Sequence, residues 1–180
     1  MPEVIFNGPE GRLEGRYHPS DNPQAPCALI LPPHPKAGGH MDHRITVAMY
    51  EQYKARGFSV LRFNFRGVGR SVGEYDNGQG ELQDAAYAMD YIQSFNQNAP
   101  FTWVSGYSFG AWIGMQLLMR RPEVSGFISM SLPTNTYDFA FLAPCPASGL
   151  ITYGSQDPIV PADEVDNVVE KIRVQKGHKI

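Results

Sequence analysis

The feature that most constrains this chain is a serine flanked by two glycines, Gly106-Tyr107-Ser108-Phe109-Gly110, where one hydrophobic pattern changes into another. The residues before it, 101–105, have the length and apolar content of a strand, and those after it, 108–120, have the length of a helix. A tight turn between strand and helix strains the serine backbone and leaves room only for small neighbours two residues away. The pattern therefore predicts that Ser108 lies above the end of a strand, at the start of a helix.

Strand and helix patterns alternate along the rest of the chain. A pair of short strands surrounds the turn at residues 7–11, and the later strands are predicted at 27–31, 58–65, 101–105, 125–131 and 149–153. Helices are predicted at 44–56, 108–120 and 161–174. A further helix is predicted from the apolar stripe of Leu82, Ala85, Ala86, Met89 and Ile92. Asp84 and Asp90 lie off this stripe. This alternation predicts the α/β class, a mostly parallel sheet with helices on both faces, whose active site lies at the carboxyl ends of the strands.

The composition narrows the possible partners. With 42% hydrophobic residues and a net charge of -3, residues 1–180 are expected to form one folded domain without a basic face for nucleic acid or an anionic membrane. The N-terminus lacks a basic segment followed by a long apolar stretch, and no window approaches a membrane span. Cys27 and Cys145 resemble small core or loop residues with reduced thiols. We therefore expect a cytoplasmic protein that acts on a small molecule.

The position of Ser108 indicates nucleophilic chemistry. Unpaired N–H groups and the dipole at a helix N-terminus favour negative charge, so the Phe109 N–H is a candidate oxyanion donor. In the alternative interpretation, Ser108 only caps the helix.

A second oxyanion donor is expected from the loop at residues 32–39, which follows the strand at 27–31. The prolines of this loop have no N–H, so His34, Lys36 or Ala37 must donate, and we favour Lys36. The alternative is a rigid connection in which His34 is tied to the backbone.

A carboxylate for the same edge is predicted at Asp157. It lies in the segment 154–161, after a short strand and before a helix, which places it on the same edge of the sheet as Ser108. Asp157 could instead cap the turn that precedes Pro158.

Four segments together carry a family resemblance over nearly the whole chain: PHPKAGG, LRFNFRGVGRSVGEYDNGQGE, GYSFGAW and YGSQDPIVP. They resemble small, lidless bacterial α/β-hydrolases and are similar to the dienelactone hydrolase group. The resemblance implies the three-layer α/β-hydrolase fold and a Ser-Asp-His triad for hydrolysis of an ester, thioester or related acyl bond, without a metal or organic cofactor. Ser108 and Asp157 match the triad, in the chain order that this fold uses.

The histidine departs from the family pattern. The fold requires one more strand and then a histidine-bearing loop after the helix at 161–174, whereas the sequence ends at Ile180. His178 stands where that strand should begin, about 15 Å from the catalytic edge, and a base must reach to about 3 Å from the serine hydroxyl. We therefore predict that residues 1–180 are a C-terminally incomplete domain, inactive or very weak by itself, whose histidine lies beyond Ile180. His34 is a second candidate for the base.

Other signals have structural alternatives. The segment His40-Met41-Asp42-His43 lacks a third ligand cluster, so solvated loop histidines are favoured over a metal site. Arg66 is expected either to pair with an acid and brace its loop or to face the substrate. The aromatic segment 137–142 lies where other members of the fold insert a lid, and either lines an acyl pocket or packs in the core. The alternative to an enzyme is a noncatalytic binding or scaffold protein on the same fold.

Overall fold

A computed structural model describes residues 3–175. The strands are β1 (Glu3–Gly8), β2 (Gly11–His18), β3 (Cys27–Leu31), β4 (Ser59–Phe63), β5 (Thr102–Tyr107), β6 (Val124–Met130) and β7 (Ser148–Thr152). The helices are α1 (Arg44–Ala55), α2 (Gln79–Phe95), α3 (Phe109–Arg120) and α4 (Ala162–Gln175), with short 3-10 helices at Pro35–Ala37 and Ala140–Leu142. Each predicted strand and helix is present, with ends that differ from the predicted ones by at most three residues.

The strands form one sheet in the order β1-β2-β4-β3-β5-β6-β7. Strands β3 to β7 run parallel to one another, and the hairpin of β1 and β2 adds antiparallel strands beside β4. Strands β3 and β4 are buried along their whole length, as expected for parallel strands covered on both faces. The predicted mostly parallel α/β sheet is confirmed.

Successive side chains of β3 enter two different core clusters. Leu29 and Leu31 pack in the larger cluster with residues of α2 and α3, whereas Ala28 and Ile30 pack in the smaller cluster with residues of α1. Since neighbouring strand residues point to opposite faces, α1 covers one face of the sheet while α2 and α3 cover the other. This is the predicted three-layer arrangement.

The register of the parallel strands sets the position of the candidate site. Tyr107 at the end of β5 is paired with Met130 of β6, and Met130 is paired with Thr152 of β7. The carboxyl ends of these strands therefore form one edge of the sheet, and the loops that follow β5 and β7 start from it.

Within residues 3–175, no helix is both long and apolar enough to cross a membrane.

Candidate active site

Ser108 lies at the turn between β5 and α3 with a strained backbone. Its φ of 53° and ψ of -118° place a non-glycine residue at positive φ, which costs about 1 to 3 kcal/mol. A Cβ on Gly106 would lie 2.3 Å from the Gly110 carbonyl carbon, and one on Gly110 would lie 2.3 Å from the Leu31 carbonyl oxygen. Both flanking positions therefore need glycine for the reason predicted from the sequence.

The Ser108 hydroxyl is available at the surface. The Ser108 N–H donates to the Met130 carbonyl at 2.9 Å, while the Ser108 carbonyl accepts from Ala111 at 2.9 Å and begins helix α3. The side chain makes no capping hydrogen bond to the helix, and the residue is partly exposed. This geometry does not support the interpretation of Ser108 as a side-chain cap.

Phe109 opens helix α3, and its ring is buried. The first N–H groups of a helix have no acceptor within the helix, so the Phe109 N–H lies where the helix dipole favours an anion. It is the amide next to Ser108 that the sequence analysis named as an oxyanion donor.

The loop after β3 lies against this helix start, because the Leu31 and Pro32 carbonyl oxygens surround Gly110. The Lys36 N–H donates to His34 Nδ1 at 3.1 Å, and the Ala37 N–H donates to the His34 carbonyl at 3.0 Å. Both amides are therefore used inside the loop, which argues against the predicted Lys36 donor. The His34 N–H has no protein acceptor among residues 3–175.

The His34 side chain is held on both sides. Its Nδ1 accepts the Lys36 N–H, and its Nε2 lies 3.2 Å from the Tyr75 hydroxyl. Burial lowers the pKa of the His34 imidazole, with Glu81 acting in the opposite direction and Lys36 lowering it further. A neutral ring whose Nδ1 accepts must carry its proton on Nε2. With both nitrogens engaged, His34 is poorly placed to serve as the second candidate base.

An aromatic cluster surrounds Phe109 beside the turn from β5 to α3 that carries Ser108, called the elbow below. The ring centroids of His34 and Trp112 lie 4.8 and 5.6 Å from that of Phe109, and Trp112 stacks on Tyr137 at 3.8 Å. Tyr75 completes the cluster at 6.2 Å from Phe109. The aromatic segment 137–142 is thus divided, because Tyr137 faces this cluster whereas Phe139 and Leu142 are buried in the core.

Asp157 lies in the loop after β7, and Ser108 follows β5 at the same edge of the sheet. With β6 between them, the two strands are about 10 Å apart. Asp157 Oδ1 accepts the N–H groups of Ile159 at 2.8 Å and Val160 at 3.1 Å. This oxygen therefore holds the turn, as the alternative interpretation expected. No other hydrogen bond of the carboxylate is found within residues 3–175.

The remaining sequence signals have structural roles. His40 Nδ1 and His43 Nδ1 accept the N–H groups of Asp42 and Ile45, and the Asp42 carboxylate pairs with Arg62. Arg66 was expected either to pair with an acid or to face the substrate. It pairs with an acid, because its guanidinium lies 2.8 Å from the buried carboxylate of Asp84.

Two groups near the elbow were missed by the sequence analysis. The ring of His43 stacks on that of Tyr107, the residue before Ser108, at 5.2 Å. Tyr75 was part of a resembling segment, but no periodicity or spacing pointed to its contact with His34. His178, which the sequence analysis considered and set aside as a base, lies outside the described residues.

Comparisons with known proteins agree with this fold. The model of the alpha/beta hydrolase fold family matches residues 37–147. The structure of ATU1826, a protein of unknown function from Agrobacterium tumefaciens, is 58% identical with a TM-score of 0.95, over 97% of this chain and 80% of that one. An alpha-beta serine hydrolase homologue from Coxiella burnetii is 31% identical with a TM-score of 0.88, over 95% of this chain and 82% of that one.

A lidless relative is also similar. XC6422 from Xanthomonas campestris, a member of the a/b serine hydrolases without a lid, is 27% identical with a TM-score of 0.86, over 97% of this chain and 80% of that one. The predicted resemblance to bacterial α/β-hydrolases is confirmed, while the likeness to the dienelactone hydrolase group stays a prediction. The fold, the geometry of the strand-to-helix turn and these matches together show that the chain belongs to the alpha/beta hydrolase fold family.

Proposed function

We propose that this protein is a serine hydrolase that cleaves an ester, thioester or related acyl bond of a small molecule, with Ser108 as the nucleophile. The observation that carries the proposal is the strained backbone of Ser108, which holds a partly exposed hydroxyl at the amino end of α3. Strain of this kind persists only where the surrounding structure enforces it, and it concentrates at functional sites. The serine hydrolase relatives support the same reaction class.

The nucleophilic step follows from this arrangement. Ser108 Oγ adds to the substrate carbonyl carbon while a histidine from outside the described residues takes the hydroxyl proton. The same histidine then gives that proton to the leaving group as the acyl–heteroatom bond breaks. Asp157 orients the histidine through Oδ2, because Oδ1 already holds the turn. Water releases the acyl group by the reverse sequence, and no metal or organic cofactor takes part.

The oxyanion formed in this step needs donors that are fixed before the reaction begins. We assign these donors to the N–H groups of Phe109 and His34. The His34 amide replaces the predicted Lys36 amide, since the latter donates to His34 Nδ1. Contact between the rings of His34 and Phe109 holds the two donor residues side by side.

The proposal is tested by labelling the full-length protein with a fluorophosphonate, which reacts covalently with an activated serine. We expect Ser108→Ala to abolish labelling and to lower turnover of a short-chain p-nitrophenyl ester by about 10³-fold or more. Ser155→Ala, which changes an exposed serine in the loop of Asp157, is the matched control and should keep both activities. Labelling or turnover that survives in Ser108→Ala would contradict the assignment. Absence of both in the wild-type protein would favour a noncatalytic binding or scaffold protein.

A further inference from the structure

Beside the elbow lies a polar cluster that the proposed mechanism does not use. The Tyr75 hydroxyl lies 3.2 Å from His34 Nε2, and the side chain of Tyr75 interacts with that of Tyr137. Both tyrosines are half-buried, and their rings pack around the buried Phe109 that follows Ser108. The cluster therefore links α3 to two other segments of the chain: the loop after β4, which carries Tyr75, and the connection from β6 to β7, which carries Tyr137.

The direction of these hydrogen bonds follows from the state of His34. Because Nδ1 accepts the Lys36 N–H, the neutral ring carries its proton on Nε2 and donates it to the Tyr75 oxygen. Burial raises the pKa of both phenols, that of Tyr137 to about 12. The Tyr75 oxygen thus accepts the Nε2–H of His34.

This arrangement fixes the loop that carries the His34 amide. The imidazole is bonded at one side to the amide of its own loop and at the other side to Tyr75. The ring and the main chain of His34 are therefore held as one unit against Phe109, with the ring centroids 4.8 Å apart. A donor that must meet a developing charge gains from being held in place before the reaction.

We propose that Tyr75 is a positioning residue for the oxyanion site: its hydroxyl holds the His34 ring and thereby keeps the His34 N–H aimed beside that of Phe109. The inference rests on the proposed serine hydrolase function. Tyr75 acts through His34 and makes no contact with the reacting atoms. Tyr137 supports it through the interaction of the two tyrosine side chains and through its contact with the Phe109 ring.

The test compares Tyr75→Phe with Tyr87→Phe in the full-length protein. Tyr87 is 45% exposed on α2 and lies outside the cluster, so Tyr87→Phe makes the same chemical change without removing a hydroxyl of the cluster. In Tyr75→Phe we expect kcat for a p-nitrophenyl ester to fall roughly tenfold, with KM changed by less than about twofold, because oxyanion stabilisation acts only in the transition state. Tyr87→Phe should keep the wild-type kcat and KM. Because partial unfolding would also lower apparent kcat at constant KM, kcat is expressed per active site, counted by fluorophosphonate titration to completion in each variant.

A second readout probes the oxyanion position directly. Ser108 Oγ adds to the boron of phenylboronic acid while its proton passes to the base, which leaves a tetrahedral boronate with one oxygen at the oxyanion position. We expect Tyr75→Phe to weaken inhibition by this compound by about as much as it lowers kcat. Should Tyr75→Phe not fold, Tyr137→Phe takes its place, and a fall in kcat of roughly two- to fivefold at constant KM is expected.

The outcomes separate the two proposals. If Ser108→Ala keeps turnover, the serine hydrolase function itself is wrong. If Ser108 is required but Tyr75→Phe matches Tyr87→Phe in kcat and boronate inhibition, only the role of Tyr75 is wrong. In the case where Tyr75→Phe does not fold, wild-type kcat in Tyr137→Phe would overturn that role.

Discussion

At the scale of single residues, Arg66 is a charged group that is costly to bury without a partner. Its side chain is 4% exposed, and its partner Asp84 is fully buried on α2. The Asp84 carboxylate accepts from the Arg66 main-chain N–H at 2.9 Å and from the guanidinium Nη2 at 2.8 Å. Burial raises the pKa of Asp84, and the bonds from Arg66 act in the opposite direction. The pair thus joins helix α2 to the loop after β4. The same loop leads on to Tyr75.

We predict that Asp84→Asn lowers the free energy of unfolding by about 3 to 5 kcal/mol, because the Arg66 charge would remain buried without its main partner. The matched control is Asp90→Asn on the same helix. Asp90 pairs with Arg121 at 2.7 Å, but its side chain is 64% exposed, so the expected loss is below about 1 kcal/mol. Urea denaturation of the three proteins measures the difference. Equal losses in the two variants would show that burial of the Arg66 pair contributes little.

These residues show which side-chain roles the sequence could predict. The position of Ser108 at a tight turn could be predicted, because the strand, the two glycines and the helix that form the turn lie within about 20 residues of sequence. Asp84 lies off the apolar stripe of α2 and is buried all the same, since its partner comes from a loop 18 residues away in sequence. The choice of His34 over Lys36 as oxyanion donor depends on a side-chain hydrogen bond inside the loop, which carries no sequence pattern.

At the scale of elements, the contact between helix α3 and the end of β3 builds the candidate site. Gly110 brings the helix start against the carbonyl oxygens of Leu31 and Pro32, so the loop with His34 begins where Phe109 presents its N–H. One turn later, a Cβ added to Gly114 would lie 3.4 Å from the side chains of Leu31 and Val104, an ordinary van der Waals distance. The same helix therefore has one position that requires glycine and one that does not.

We predict that Gly110→Ala removes most of the fluorophosphonate labelling of Ser108 and destabilises the fold. The added Cβ would lie 2.3 Å from the Leu31 carbonyl oxygen and 2.4 Å from that of Pro32, so the strand end and the oxyanion loop must move away. Gly114→Ala is the control and is expected to be neutral or to gain up to about 1 kcal/mol from helix propensity. Labelling rates and thermal unfolding measure both effects. Normal labelling in Gly110→Ala would contradict the proposed role of this close contact.

A second element-scale contact joins the segment between β6 and β7 to both sides of the site. Tyr137 stacks on Trp112 of α3, and the Asn135 side chain donates to the Ile159 carbonyl at 2.6 Å in the loop of Asp157. The sequence did not distinguish an acyl-pocket lining from core packing for segment 137–142. Phe139 and Leu142 pack in the core, whereas Tyr137 joins the aromatic cluster around Phe109.

At the scale of the whole molecule, the fold follows from hydrophobic patterns that the sequence displays. Continuous apolar runs such as 27–31 predict strands buried on both faces, and such strands require helices on each side. The order of the strands in the sheet was not predicted, because pairing partners depend on contacts between distant segments. The order matters for the candidate site, because it places β6 between β5 and β7. This fixes the spacing of the loops that carry Ser108 and Asp157.

The three-layer arrangement makes a prediction that separates its two faces. Leu29 and Ile30 are adjacent on β3 and fully buried, but Leu29 packs toward α2 and α3 whereas Ile30 packs toward α1. We expect Leu29→Ala and Ile30→Ala each to lower the free energy of unfolding by about 2 to 5 kcal/mol, since each leaves a cavity in a different layer. Ile5→Ala, at a position 42% exposed on the edge strand β1, should cost less than about 1 kcal/mol. If urea denaturation finds one of the two central variants as stable as Ile5→Ala, the corresponding layer does not pack against β3 as described.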